Sequence, residues 1–219
     1  MSDKPSPSEL SADGLRRLAR ARLAAEPAAD AFSSLLARRG DHALDGLTID
    51  PQTVAAARPA AVLAPIIPRP EGLTVLLTLR AAHLRSHSGQ VAFPGGKIDA
   101  GETPRETALR EAREEIGLAP SLVEPLGWLD PYLTGTGYRV TALVALIDPA
   151  FVPTLNPDEV ADAFETPFAF LMDPNNHERR SRETPDGMRR HFYAMPYGGQ
   201  LIWGVTAGIL RNLYERLFT

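Results

Sequence analysis

Three glutamates, Glu111, Glu114 and Glu115, stand at i, i+3 and i+4 within the run GKIDAGETPRETALREAREEIGL at residues 96–118. On a helix this spacing gathers their carboxylates on one arc. Like charges so placed destabilise a bare helix by about a few tenths of a kcal/mol per pair. A hard divalent cation, Mg²⁺ or Mn²⁺, takes carboxylate oxygens and water as ligands and would reverse the sign of that interaction. A solvated charged face is the competing explanation, supported by the i, i+4 pairs Glu106–Arg110 and Arg110–Glu114. The glycine turn ahead of the helix and the spacing of the whole run favour a metal site.

The helix carrying these carboxylates is written into its own ends. Thr103-Pro104-Arg105-Glu106 offers an N-cap, a proline at the first helical position and a glutamate to close a capping box. Gly117 is a natural C-terminal stop. Between them Ala108, Leu109, Ala112 and Ile116 share one arc, the expected buried stripe.

Ahead of the helix, residues 73–80 (LTVLLTLR) read as a buried strand. The following stretch, AAHLRSHSGQVAFPGGK, carries His83, Arg85, His87 and Lys97 just after Arg80 and ends in Phe93-Pro94-Gly95-Gly96. Paired glycines let backbone approach a ligand closely, and arginines grip phosphate bidentately. An ordinary polar loop is the alternative for these basic residues.

The order Gly96, Glu102, Arg110, Glu111, Ala112, Glu114, Glu115, Gly117, Leu118 resembles the Nudix box, the signature of hydrolases that cleave diphosphates in nucleoside-diphosphate derivatives. Upstream, Leu76-Leu77-Thr78-x-Arg80-Ala81, Arg85, Gly89 and Phe93-Pro94-Gly95-Gly96 resemble the additional motif of coenzyme A diphosphatases. The two signatures span residues 76–118. The resemblance implies an α/β fold, an α/β/α sandwich with a mixed central sheet. It also implies Mg²⁺ or Mn²⁺ held by Glu111, Glu114 and Glu115 with help from the Gly96 carbonyl. Glu102 and Arg110 would form an orienting pair, and Arg80, Arg85, Gly89, Phe93, Gly95 and Gly96 would face the substrate. Glu159, in Asp158-Glu159, loosely matches a further acidic position beside the metals. The implied reaction converts coenzyme A or its acyl thioesters to 3′,5′-ADP and (acyl-)4′-phosphopantetheine. Related diphosphates such as ADP-ribose or NADH are the alternative, because the box reads only the diphosphate. A ligand-sensing module without turnover usually lacks one of the box glutamates, and this chain keeps them all.

A chain of 219 residues, 44% of them hydrophobic, suits one catalytic domain. We expect it over residues 8–219, with a mobile stretch at 1–7 and a helical extension over about 8–60. The absence of cysteine excludes disulfides and thiolate chemistry, and makes the reducing cytoplasm the expected home. A net charge of −4 argues against a nucleic-acid partner, and no apolar run approaches a membrane span. A small-molecule substrate is therefore the expected partner, with a homodimer left open. Residues 8–24 alternate leucines with arginines. Glu9, Asp13, Glu26 and Asp30 make this a surface helix rather than a transit peptide.

Further strands are expected at 61–67, 123–130 and 138–147, and a hairpin from 178–183 to 190–194. Residues 155–160 read as a loop leading to a short helix around 167–172. A closing amphipathic helix over 204–218 turns Val205, Ile209, Leu213 and Leu217 inward. His177 reads as polar surface, and Trp128 and Trp203 as core.

Overall fold

The computed structural model describes residues 6–28, 39–83, 89–184 and 187–219. Its centre is an eight-stranded mixed sheet. Strand β1 (Arg58–Arg69) lies parallel to β7 (Tyr138–Ile147) and antiparallel to β2 (Gly72–Arg80). The path through the sheet begins at β3 (Val91–Ala92), runs through β2, β1 and β7, and ends at β5 (Val123–Trp128). Strands β4 (Gly95–Lys97), β6 (Tyr132–Leu133) and β8 (Val160–Pro167) pair with β1, β7 and β2 respectively.

Both faces of the sheet are covered, which explains why its central strands read as continuous apolar runs. Along β1, Ala61, Leu63 and Ile67 point to one core and Ala60, Ala64 and Ile66 to the other. The first core lies under α3 (Pro104–Ile116). The second lies under α1 (Ala12–Arg22), α4 (Phe168–Leu171) and α5 (Val205–Phe218). This is the expected α/β/α sandwich.

Strand β1 runs through Pro59, Pro65 and Pro68, further than expected in both directions. The positions of the prolines make this possible. The Leu63 N–H points away from β7, to the Pro94 carbonyl, so the nitrogen of Pro65 faces the same way. There β1 has left β4, paired at 60–62, and meets β2 only from Ile66. Pro68 faces the β7 side, where pairing has ended at Ile66. Neither proline removes a ladder bond.

Elsewhere the structure corrects the sequence reading. Residues 160–167 form strand β8 before the short helix, pairing antiparallel with β2 from Arg80↔Val160 to Thr74↔Pro167. Its alternation is blurred by Asp162 and Glu165, which suit an outer strand. The expected hairpin is present as β9 (Glu178–Glu183) and β10 (Arg189–Tyr197), and β11 (Gln200–Trp203) adds a third strand. Trp128 is core, whereas Trp203 is half-buried with Arg182 over its ring.

His177 is buried, not surface: its Nε2 lies 2.7 Å from the Leu171 carbonyl and its ring packs on Tyr214. Helix α1 buries Leu15 and Ala19 and pairs Arg16 with Glu124 at 2.7 Å. Residues 1–5, within the segment expected to be mobile, lie outside the described residues. Among the described residues no helix is long and apolar enough to cross a membrane.

Candidate metal centre and active site

Helix α3 starts and stops where its sequence dictates. The Thr103 hydroxyl accepts the Glu106 N–H, and the Glu106 carboxylate accepts the Thr103 N–H at 2.8 Å. Glu106 is engaged by this local bond, and of the two pairs that a solvated charged face would use, only Arg110–Glu114 forms among the described residues. Gly117 closes the helix at φ 70°, its N–H directed to the Ala112 and Arg113 carbonyls. Ala108, Ala112 and Ile116 are fully buried against the sheet, while Leu109 is only half-buried. The small alanines let the helix sit close to β1, which brings the neighbouring arc against the glycines of β4.

On that arc the three box glutamates meet different fates. Glu115 is 2% exposed, Glu111 is half-buried and Glu114 is exposed. Glu111 and Glu115 converge with Glu159, each offering a carboxylate oxygen, all within 4.8 Å of one another. Glu114 instead takes a hydrogen bond from Arg110 Nη1 at 3.0 Å and lies outside the group.

Two glycines make room for the cluster. Strand β4 lies beside β1 with Gly95 opposite Val62 and Gly96 opposite Ala61. A Cβ on Gly96 would sit 2.3 Å from Glu111 Oε1, and one on Gly95 would sit 2.5 Å from the Ala61 carbonyl. The Gly95 N–H donates to Glu115 Oε2 at 3.3 Å.

Arg110 organises the solvent side. Its Nε donates to Glu102 Oε1 at 2.7 Å, and its Nη1 donates to Glu111 Oε1 at 2.9 Å. Arg110, and then the Thr107 hydroxyl, hold the Glu102 carboxyl down at about 2. Glu102 therefore stays ionised and anchors the guanidinium that orients Glu111.

The cluster's own electrostatics run the other way. Burial, followed by the charges of Glu111 and Glu159, pushes Glu115 up to about 8, against the opposing pull of Arg80 and the Gly95 N–H. Burial also raises Glu111. Among the described residues Arg80 is the one guanidinium near Glu115, at 3.8 Å, and its buried Nε has no hydrogen-bond partner. Three converging carboxylates with so little compensation suit a divalent cation with oxygen ligands.

Of the other expected site residues, Gly89 has φ 66° and closes its loop with an N–H to the Arg80 carbonyl at 3.1 Å. Phe93 is 4% exposed, in the core under α5. Arg85 and His87 lie outside the described residues. The sequence reading gave no site role to Asn156 and named His83 only among the basic residues of its loop; both bond the segment carrying Glu159. The Asn156-Pro157-Asp158 turn signature is the signal that marks the first.

The NUDIX domain family model matches residues 57–186, more than half of the chain. This chain belongs to the Nudix hydrolase family. It is 45% identical over 162 residues to a protein named "Uncharacterized Nudix hydrolase NudL" in Yersinia pestis (strain Pestoides F), covering 73% of this chain and 80% of the relative. The same values hold for the protein of that name in Yersinia pseudotuberculosis serotype O:1b (strain IP 31758). The crystal structure of RenU, a Nudix hydrolase from M. smegmatis, aligns with 73% of this chain and 84% of its own, at 21% identity and a TM-score of 0.50, which speaks for the fold. Nudix hydrolases generally use divalent ions such as Mg²⁺ or Mn²⁺, and the Glu111–Glu115–Glu159 group has the donor chemistry for them. In this Nudix hydrolase the matched region begins one residue before β1, so α1 and α2 (Pro51–Ala56) precede the matched residues and α5 follows them.

Proposed function

We propose that this Nudix hydrolase cleaves the diphosphate bond of coenzyme A or its acyl thioesters, giving 3′,5′-ADP and 4′-phosphopantetheine or its acyl form. The observation that carries the reading is the meeting of the two sequence motifs. Arg80, from the upstream motif, reaches Glu115 of the box at 3.8 Å, which sets a guanidinium suited to phosphate oxygens beside the carboxylate cluster. The finer assignment to coenzyme A rests on resemblance across residues 76–96.

Glu111, Glu115 and Glu159 would hold the cation, with the Gly96 carbonyl as a further oxygen donor. Glu114, paired with Arg110, is the member of the expected set that would contribute least in this arrangement. When bound, Mg²⁺ or Mn²⁺ supplies Lewis acidity that neutralises diphosphate oxygens and lowers the pKa of water. Arg80 neutralises phosphate charge from the β2 side. Arg110, fixed by Glu102, keeps the Glu111 carboxylate turned towards Gly96. Water attacks one phosphorus, the bond from that phosphorus to the bridging oxygen breaks with its electron pair leaving on the other phosphate, and the proton lost by the water passes to a carboxylate of the cluster.

The test compares kcat/KM for CoA, acetyl-CoA, dephospho-CoA, ADP-ribose and NADH with Mg²⁺ or Mn²⁺. A preference for CoA or acetyl-CoA, with 3′,5′-ADP among the products, is expected. Equal turnover of dephospho-CoA and ADP-ribose would reduce the assignment to a general Nudix diphosphatase.

A further inference from the structure

Glu159 reaches the cluster from a segment far from α3 in the chain, and a short series of bonds determines where it arrives. The last carbonyls of a helix lack intrahelical partners. In α3 two of them are taken by this segment: the Thr154 N–H donates to the Ile116 carbonyl at 2.9 Å, and the Asn156 N–H to the Glu115 carbonyl at 3.0 Å. Gly117 permits the approach, since a Cβ there would sit 3.0 Å from Thr154 Cβ. The backbone of Asn156 is thus fastened to the residue that supplies a buried carboxylate.

From this anchor Asn156 shapes the turn that follows. Its carbonyl accepts the Glu159 N–H at 3.0 Å and the Val160 N–H at 2.8 Å. Its side-chain Oδ1 accepts the Asp158 N–H at 3.2 Å, and its Nδ2 points to Glu159 Oε1 at 3.5 Å. On the far side, the Ala81 N–H donates to the Glu159 carbonyl at 2.9 Å, and His83 Nε2 lies 3.0 Å from the Asp158 carbonyl.

We propose that Asn156 is a positioning residue, which uses the C-terminal turn of α3 as its anchor to set Glu159 against Glu111 and Glu115. The proposal rests on the metal-centre reading and is independent of the coenzyme A assignment. Loss of a partner that orients a ligand typically weakens metal binding by about 10–100-fold. Asn156 acts through Glu159, so its removal matters only while Glu159 is a carboxylate.

The experiment is a double-mutant cycle of Asn156→Ala and Glu159→Gln, read as the Kd for Mn²⁺ alone by calorimetry, with Tm recorded for every variant. Asn156→Ala is expected to weaken Mn²⁺ binding at least about tenfold in the wild-type background and by less than about twofold in Glu159→Gln. Additive effects, or unchanged Mn²⁺ affinity in Asn156→Ala, overturn the proposal. If Asn156→Ala fails to fold, Asn156→Asp carries the cycle. It keeps the acceptor for the Asp158 N–H but loses the donor to Glu159, and its effect must again vanish in Glu159→Gln. Absence of Mn²⁺ binding by the wild-type protein overturns the metal centre and this proposal together. Mn²⁺ binding without turnover of CoA overturns only the coenzyme A reading.

Discussion

Two of the clustered carboxylates and the third are delivered in different ways. Glu111 and Glu115 ride on α3, a helix whose cap, stop and buried stripe all lie between Thr103 and Gly117. Glu159 arrives on a turn held by bonds to α3, to the start of the loop after β2, and to itself. The first pair needs only local chemistry to be correctly spaced, whereas the third needs the whole sandwich to have formed. A further contrast lies within the helix. Glu114 and Glu115 are adjacent in sequence, yet one is exposed beside Arg110 and the other is buried beside Arg80.

Four measurements would break or sharpen this comparison. The largest effect is expected from Glu115→Gln, which should lower kcat by about a hundredfold or more with the fold retained, as for loss of a major electrostatic contribution to the transition state. Turnover close to wild type would remove Glu115 from the centre. Gly96→Ala comes next: its methyl group would displace the Glu111 carboxylate, and a rise of about tenfold in the metal concentration for half-maximal activity is expected.

The pH dependence follows from Glu115, which holds its proton up to about pH 8 instead of losing it near 4.5. Metal binding must displace that proton, so affinity for Mg²⁺ should rise with pH by up to about tenfold per unit below 8 and then level off. Without metal the sign for stability is opposite. Between pH 4.5 and about 8 the unfolded chain binds fewer protons at this site than the folded one, so stability falls as pH rises. Urea unfolding at pH 5 and pH 8, with and without Mg²⁺, would check both statements.

The smallest effect is expected from Glu114→Gln. An exposed ion pair is worth less than about 1 kcal/mol, so kcat/KM should fall by less than about fivefold. A loss matching that of Glu115→Gln would show that Glu114 joins the centre during catalysis.

What could be read from the sequence follows the same division. The capping box, the Gly117 stop, the stripe of Ala108, Ala112 and Ile116, and the runs in β2 and β7 are short-range signals, and all of them appear in the structure. Strand β8 escaped because its pattern is interrupted by charges that make sense only in the finished sheet: Glu165 pairs with Arg69 at the end of β1 at 2.5 Å and accepts a hydrogen bond from the Thr74 hydroxyl on β2. The distinction between Glu114 and Glu115 was equally out of reach. Helical spacing places both on one arc, and only the approach of β4 and the 154–159 segment decides which is covered. Asn156 presented itself as an ordinary turn residue because its anchor is a carbonyl at the end of α3.

The parallel pairing of β1 with β7 has a consequence for the order in which the molecule assembles. Arg58 meets Tyr138 across nearly the whole length of the intervening chain, which contains β2, α3 and β5. Closing a loop of that length is slow, while a capped helix forms locally and early. The carboxylates of α3 are therefore expected to come together as a pair before the turn bearing Glu159 can dock, and a cation would meet a complete set of ligands only late in folding. Mg²⁺ should accordingly slow unfolding while leaving the refolding rate nearly unchanged, so the cation would act as a latch on the finished structure instead of a template for it.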